Sequence, residues 1–329
     1  MKKLLLLLLL ITLFTAALGY YGYDKLTSYR SPEEKTVVID TGTSLKIISQ
    51  KLEDEKVVSD ALLFEWYVRL QKKASQIKAG TYDFTKGVSA KKVLSLLIQG
   101  FTIQKIMTIP EGYNKNDIGK LFIERKLIAN KEEWEKLFYD KDFLTSLGIE
   151  ADSFEGYLFP DTYFIDDRTT AKNLIEKMVS HFKKKITPEM TEMAKASGFT
   201  LHQWVTFASI IEKETGLASE RPLIASVFLN RMKKNMLLQT DPTVIYGIPN
   251  FNGNLTRKDL QTDTPYNTYT RPGLPPGPIC SPGFKSLKAV IEPAHSDYLY
   301  FVGKGDGSHY FSKTLEEHNA AVRKYQLKK

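Results

Sequence analysis

The segment from Thr200 to Gly216 constrains the fold most, because its apolar side chains recur at the spacing of a helix with one broad buried face. The residues of this face are Trp204, Val205, Phe207, Ala208, Ile210 and Ile211. Thr200 is followed three positions later by Gln203, a capping-box spacing that predicts where the helix begins. We therefore expect a helix that packs against the protein interior over most of its length.

Two glutamates, Glu212 and Glu214, lie near the two edges of this apolar face, whereas Lys213 between them points to water. A carboxyl beside apolar walls has a raised pKa and can hold a proton near neutral pH, so it can protonate a leaving oxygen. The alternative is that both glutamates are solvated charges at the end of a helix. Periodicity alone does not choose between Glu212 and Glu214.

Several motifs along the chain resemble the endolytic murein (peptidoglycan) transglycosylase family, the YceG-like proteins. They are Ser209–Glu214, Ser219–Arg221, Asn230–Arg231, Leu238–Gly247, Tyr266–Tyr269 and Gly273–Ile279. The resemblance implies that Glu212, the first glutamate of the Glu-Lys-Glu triplet, is the catalytic acid. It also implies substrate-binding roles for Glu155, Asn230, Gln239, Asp241, Thr243, Tyr246, Tyr266, Asn267 and Tyr269.

The family resemblance further implies a reaction that needs one carboxyl group rather than the usual glycosidase pair. Glu212 would protonate the oxygen between N-acetylmuramic acid (MurNAc) and N-acetylglucosamine (GlcNAc). The MurNAc 6-hydroxyl would then attack its own anomeric carbon and return its proton to Glu212, leaving a 1,6-anhydro end. The substrate would be nascent glycan strands, whose elongation such cleavage would end, with peptidoglycan synthases as membrane partners and no cofactor or metal.

Three other functions are weighed against this one. A hydrolytic muramidase would need a second carboxylate, with Asp241, Glu214 and Glu155 available. A membrane-tethered scaffold that binds the wall would use its glutamates structurally. A serine or cysteine hydrolase is disfavoured, because the sequence has neither a Gly-x-Ser-x-Gly motif nor a convincing Cys/His pair.

The amino-terminal segment Leu4–Tyr23 contains twenty residues without a charge, preceded by Lys2 and Lys3. This length suits a tilted helix that crosses the hydrocarbon core of a membrane, and the lysines predict a cytoplasmic amino terminus. The competing interpretation is a cleaved secretory signal. We expect a retained single-pass anchor in the cell (inner) membrane, with the catalytic domain outside the cytoplasm.

The remaining sequence predicts an α+β protein in two folded parts, since 329 residues exceed the usual size of one domain. We divide the chain into a cytoplasmic start and anchor (1–24), a linker (25–35), a LysM-like module (36–103) and a catalytic domain (104–329). Strands at 37–39 and 79–84 and helices at 45–52, 60–71 and 89–99 are predicted for the module. Its resemblance to LysM rests on Gly42–Leu45 and Ile48, and it is either a glycan-binding module or a plain spacer.

In the second part, the pattern predicts a strand at 104–109, paired strands at 298–302 and 309–311, and several helices. The predicted helices are 115–125, 131–139, 142–147, 170–186, 286–291 and 314–325. The stretch Ser153–Tyr163 is rich in aromatic residues and contains Glu155 and Asp161. Such rings are either ordinary core or the wall of a saccharide groove, and the family match favours the groove.

Charge and cysteine content limit the possible partners. The formal net charge of +8 suits a polyanionic partner, but no basic run interleaved with stacking aromatics indicates nucleic acid. The single cysteine, Cys280, cannot form an intramolecular disulfide and is interpreted as a loop residue. His309 and His318 stand too far apart and too unaccompanied to predict a metal site.

Overall fold

The computed structural model describes residues 2–100, 105–166 and 169–327. The chain forms two compact units, the first made of Met1–Ile106 with Phe164–Thr169 and the second of Met107–Tyr163 with Thr170–Lys329. Helices and small two-stranded sheets make up both units, so the protein is an α+β protein as predicted. The predicted boundary between residues 103 and 104 lies outside the described residues, as do Gln104, Lys328 and Lys329.

The first unit is built around a two-stranded antiparallel sheet in which Val37 pairs with Tyr82 and Ile39 with Gly80. Its elements are α1 (Lys2–Ser28), β1 (Lys35–Ile39), α2 (Leu45–Asp54), α3 (Ala61–Leu70), a 3-10 turn (Ala74–Gln76), β2 (Gly80–Phe84) and α4 (Ala90–Gln99). Ser44, Asp60 and Ser89 each accept a backbone hydrogen bond at the start of a helix, which confirms the predicted helices. Leu52, Phe64, Val68 and Val93 lie in the core between these elements.

Helix α1 extends to Ser28, five residues beyond the uncharged segment, so Asp24 and Lys25 lie within it. The residues after it are fixed to the first unit. The Tyr29 hydroxyl donates to the Lys56 carbonyl over 2.8 Å, and Ser31 exchanges backbone hydrogen bonds with Gly87 and Val88. Within the part of the chain that the structure describes, no helix combines the length and apolar character required to cross a membrane.

The second unit is mainly helical. Its helices are α5 (Lys115–Glu124), α6 (Lys131–Phe138), α7 (Lys141–Ser146), α8 (Ala171–Lys185), α9 (Pro188–Ala196), α10 (Leu201–Glu214), α11 (Arg221–Lys233), α12 (Asp241–Gly247), α13 (Arg257–Gln261), α14 (Phe284–Ile291) and α15 (Leu315–Tyr325). Its strands are β5 (Tyr300–Gly303) and β6 (His309–Ser312), which pair antiparallel as predicted. The strands β3 (Lys105–Thr108) and β4 (Thr162–Ile165) form a third small sheet, and the division between the units falls inside both strands.

Helix α10 is the central element of the second unit. Thr200 and Gln203 form the predicted capping box, and every residue from Trp204 to Ile211 is buried. Helices α9, α11, α12 and α14 all pack against it. The Trp204 indole donates to the Leu287 carbonyl over 2.8 Å, which anchors α14 to α10. The carboxyl end of this helix therefore emerges from a rigid, fully packed layer.

Two sequence-based expectations are corrected by the structure. The aromatic residues Phe154, Tyr157, Phe159 and Tyr163 are buried, so these rings belong to the core and the groove-wall interpretation is wrong for them. Helices α9, α11, α12 and α13 were not predicted; α9 contains Pro188 and α12 contains Pro242. Both prolines occupy the first turn of a helix, where the missing N–H has no intrahelical partner to lose.

Candidate active site

The last turn of α10 directs its two glutamates into different surroundings. The Glu212 side chain is 5% exposed and pairs with Arg221, whose Nη2 donates to Oε1 over 2.7 Å. Its Oε2 accepts hydrogen bonds from the Gly283 amide at 2.9 Å and the Ser286 hydroxyl at 2.8 Å. Glu212 therefore lies among polar donors rather than beside the apolar walls that the helical pattern predicts.

Glu214, two residues further along, lines a cavity of about 420 Å³. The Thr240 hydroxyl donates to its Oε1, while its Oε2 receives no hydrogen bond from any residue that the structure describes. Burial raises the pKa of Glu214 to about 7, and the negative charge of Asp241 acts in the same direction. The carboxyl group can therefore exchange a proton near neutral pH through the oxygen that remains available.

The cavity lies where α10, α11, the 237–241 segment, the β5–β6 sheet and α15 meet. The residues around it include Glu214, Phe228, Arg231, Leu238, Gln239, Asp241, Tyr269, Phe301, His309 and His318. Three predicted substrate-binding residues, Gln239, Asp241 and Tyr269, are thus brought to the same cavity as Glu214. The Tyr269 hydroxyl donates to Asp241 Oδ1 over 2.6 Å, which fixes both side chains at its wall.

Gln239 has a backbone φ of 53°, in the left-handed region that residues other than glycine rarely adopt. Arg231 on α11 holds this segment in place, since its Nη1 donates to the Leu238 carbonyl over 2.9 Å and to Gln239 Oε1 over 3.4 Å. Its Nε donates to the Leu299 carbonyl over 2.7 Å, immediately before β5. Arg231 therefore fixes the backbone of the segment that presents Gln239 to the cavity.

Three other predicted residues hold loops of the second unit in place through hydrogen bonds to backbone carbonyls. Asn230 donates to the carbonyls of Ser296 and Tyr298. The Thr243 hydroxyl donates to the Thr240 carbonyl over 2.7 Å. Asn267 donates to the carbonyls of Asp259, Leu260 and Thr262. These amide and hydroxyl groups shape the site through the backbone, so they are not free to bind a ligand.

The last three predicted residues, Glu155, Tyr246 and Tyr266, form a separate group. Glu155 is 3% exposed, and its Oε2 accepts hydrogen bonds from the Lys115 amide at 3.0 Å and the Tyr246 hydroxyl at 2.8 Å. Burial raises its pKa to about 7. The Tyr246 ring lies 4.8 Å from that of Tyr266 and contributes to a second cavity of about 740 Å³, which Glu214 does not line.

Sequence reasoning missed a carboxylate–histidine pair at the first cavity. His309 lines this cavity, and its Nδ1 lies 2.6 Å from Glu220 Oε2. The two residues are 89 positions apart, so no local pattern could have joined them. Glu220 belongs to a motif that carries the family resemblance, and His309 was weighed only as a metal ligand. Among the described residues, no cluster of His, Cys, Asp and Glu side chains could hold a metal ion.

Comparison with known proteins gives a consistent result. The model of the YceG-like family matches residues 37–324. The endolytic murein transglycosylase of Bacillus subtilis (strain 168) is 36% identical over 323 residues, covering 93% of this chain and 89% of that protein. That of Streptococcus pneumoniae (strain D39) is 31% identical over 93% of this chain, which spans 62% of the relative's length. The crystal structure of a yceG-like protein from Listeria monocytogenes has a TM-score of 0.62 at 36% identity, covering 88% of this chain and 98% of that one.

Proposed function

The chain belongs to the YceG-like family and is a peptidoglycan lytic transglycosylase; we propose that it cleaves the MurNAc–GlcNAc β-1,4 bond within nascent glycan strands. The product would carry a 1,6-anhydroMurNAc end. The proposal depends on one observation: the Glu214 carboxyl group lies at the wall of a cavity and has a pKa of about 7. A group that is partly protonated at neutral pH can act as a general acid there.

Glu214 acts first as the general acid of the reaction. Glu214 gives its proton to the glycosidic oxygen as the bond to the MurNAc anomeric carbon breaks. The MurNAc 6-hydroxyl then attacks that carbon, and in the simplest scheme its proton returns to the same carboxylate. The nucleophile belongs to the substrate, so its proximity replaces a second enzymatic carboxylate.

Glu214 fits the role of proton donor better than Glu212, which the family resemblance predicts to be the catalytic acid. Glu212 has three hydrogen bonds, one of them from a guanidinium, and all would be disturbed by delivering a proton to a sugar. Glu214 has one side-chain partner, Thr240, at Oε1, and keeps Oε2 for the substrate. The cavity also brings Gln239, Asp241 and Tyr269 to Glu214, and we assign these three side chains to sugar binding.

The test compares purified Glu214→Gln and Glu212→Gln proteins with the unaltered enzyme on isolated peptidoglycan. We expect Glu214→Gln to remove at least 99% of the release of anhydro-ended fragments, since general acid catalysis contributes roughly 10²–10⁴-fold. Glu212→Gln is expected to keep measurable activity but to lower the melting temperature, because it weakens a buried pair with Arg221. Abolished activity in a folded Glu212→Gln protein, with Glu214→Gln active, would return the acid role to Glu212.

Mass spectrometry of the products separates transglycosylation from hydrolysis. Anhydro ends support the proposed reaction, whereas reducing ends that contain added water would favour a muramidase. Asp241 would then be the second carboxylate, because it lines the same cavity as Glu214. Digestion of long glycan strands into mid-length fragments, rather than into disaccharides from one end, is expected for endolytic action.

The proposal includes a membrane anchor, supported by the twenty uncharged residues of Leu4–Tyr23 after Lys2 and Lys3. A single-pass anchor with a cytoplasmic amino terminus in the cell (inner) membrane would restrict cutting to newly made strands near peptidoglycan synthases. Residues 36–103 would be a LysM-like module that binds glycan. Cell fractionation tests the anchor: the full chain should sediment with membranes, and a chain lacking residues 1–23 should not.

A further inference from the structure

A second group suited to proton transfer lines the same cavity as Glu214. His309, the first residue of β6, contributes its ring to the cavity wall, and Glu220 at the start of α11 lies behind it. Both side chains are largely buried, with 15% and 13% of their surfaces exposed. The simplest scheme for the reaction gives this pair no task.

The geometry of the pair fixes the orientation of the imidazole. The Glu220 carboxylate accepts two hydrogen bonds from His309, one at Oε1 from the backbone amide at 2.9 Å and one at Oε2 from ring Nδ1 at 2.6 Å. A carboxylate partner at Nδ1 assigns the proton of the neutral ring to that nitrogen. Nε2 is then a proton acceptor, and it makes no hydrogen bond to the residues that the structure describes.

The aromatic surroundings of His309 also limit the motion of its ring. Phe301 on β5 stands at right angles to the imidazole, with ring centres 5.4 Å apart, and Phe311 lies 6.4 Å away. A histidine oriented by a carboxylate and directed at a hydroxyl is the arrangement that activates the nucleophile in serine hydrolases. In this cavity the only nucleophile that the proposed reaction requires is the 6-hydroxyl of the substrate itself.

We propose that His309 is a second catalytic residue, whose Nε2 takes the proton from the MurNAc 6-hydroxyl, and that Glu220 positions it. This inference rests on the proposed function. As Glu214 protonates the leaving oxygen, the bond between that oxygen and the anomeric carbon breaks. The bond from O6 to the anomeric carbon forms, and the O6 proton passes to Nε2. Glu220 stabilises the resulting imidazolium, which releases its proton to water, and Glu214 regains one from water.

A separate acceptor has a chemical advantage over the single-carboxyl scheme. The leaving sugar's new hydroxyl carries the proton that Glu214 has just donated, and it remains hydrogen-bonded to that carboxylate until it departs. An imidazole at the cavity wall can accept the O6 proton before this departure. Ring closure then precedes the entry of water, which favours the anhydro product over hydrolysis.

The test measures product partitioning in the full-length His309→Gln protein, with purified peptidoglycan as the substrate. We expect total cleavage to fall roughly 100-fold, as for the loss of a general base. The decisive result is the ratio of ends: the share of water-added reducing ends should rise at least several-fold, because water competes with a slower 6-hydroxyl. Glu220→Gln should shift the ratio in the same direction but less.

The matched control is His181→Gln, which removes another histidine next to a carboxylate. His181 lies on α8, outside the cavity that Glu214 lines, and its Nδ1 is 3.4 Å from Asp161 Oδ2. This variant should keep both the rate and the product ratio of the unaltered enzyme. If His309→Gln does not fold, His309→Ala with added imidazole replaces it, and imidazole should restore the anhydro ends.

Two outcomes would overturn the inference, and they can be told apart: one removes only the role of His309, and the other removes the proposed function. A folded His309 variant that is slower but has the unaltered ratio of anhydro to reducing ends assigns His309 a structural role only. An unaltered enzyme that yields no anhydro ends at all removes the proposed function itself, and the inference falls with it.

Discussion

Glu155 makes the stability of this protein depend on pH. Burial raises its pKa to about 7, whereas the same carboxyl in an unfolded chain has a pKa of about 4.3. The folded state therefore binds this proton more tightly. The stability that protonated Glu155 contributes is fully present below the pKa of the unfolded chain and is lost as pH rises through about 7. The loss across this window is roughly 3 kcal/mol.

We expect Glu155→Gln to remove most of this pH dependence, because glutamine can still accept hydrogen bonds from Tyr246 and Lys115 but does not ionise. Denaturant unfolding at pH 5 and pH 8 measures it. The unaltered protein should lose roughly 3 kcal/mol more between the two values than the variant. Glu214 is present in both proteins, so its own titration cancels. Equal losses would mean that Glu155 is hydrated in solution.

Single residues also mark the limit of what the sequence could predict about the site. The pattern of α10 identified Glu212 and Glu214 as candidates, since helical spacing sets which side chains lie at the edge of a face. It could not show that Arg221, Gly283 and Ser286 surround Glu212, because these donors come from other parts of the chain. His309 was missed for the same reason.

At the level of elements, the packing of α10 against the 271–278 loop depends on a glycine. Gly156 has φ +84°, and a Cβ there would lie 2.6 Å from Pro278 Cβ and 2.8 Å from Val205 Cγ1 on α10. Gly198 has the same φ of +84° with nothing within 4 Å of a Cβ. Replacing either glycine by alanine puts a side chain at a left-handed backbone position, which costs free energy. Only Gly156→Ala also overpacks the interior.

We therefore predict that Gly156→Ala lowers the free energy of unfolding by about 2 kcal/mol more than Gly198→Ala does. Parallel denaturant titrations of the two variants measure the difference, and the shared backbone penalty cancels. Equal destabilisation would show that Pro278 moves aside easily and that the loop is less rigid than its prolines suggest.

Elements with strong local signals were predicted well. Capped amphipathic helices such as α4, α8 and α10 begin within one residue of the expected position, because Ser89, Thr170 and Thr200 accept the first free backbone N–H groups. Short helices such as α12 and α13 were missed, since packing rather than periodicity stabilises a helix of one or two turns. The burial of the 153–163 aromatics likewise depends on distant partners.

At the scale of the whole molecule, the last turn of α1 and the residues between α1 and β1 are hydrogen-bonded to the first folded unit. Ser59 donates to the Lys25 carbonyl, Tyr29 to the Lys56 carbonyl, and Ser31 is bonded to Val88. We expect a chain that starts at residue 24 to be more stable in this unit than one that starts at residue 34, by about 2 kcal/mol for the hydrogen bonds lost.

Hydrogen exchange of the β1–β2 amides measures this difference within the intact two-unit chain. Exchange should be faster in the shorter protein for β1 and β2 and unchanged for α10, which serves as an internal control. The same protection in both proteins would show that residues 24–33 add nothing to the stability of the first unit.

The sole cysteine of the chain, Cys280, is 0% exposed, and its thiol lies 3.4 Å from the Ser209 carbonyl of α10. Burial also raises its pKa, so the reactive thiolate is scarce. Thiol-directed dyes should therefore leave the native enzyme unlabelled and modify it only when the 279–280 segment separates from α10. The labelling rate therefore measures how often the second unit opens locally around Cys280, and no engineered probe is needed.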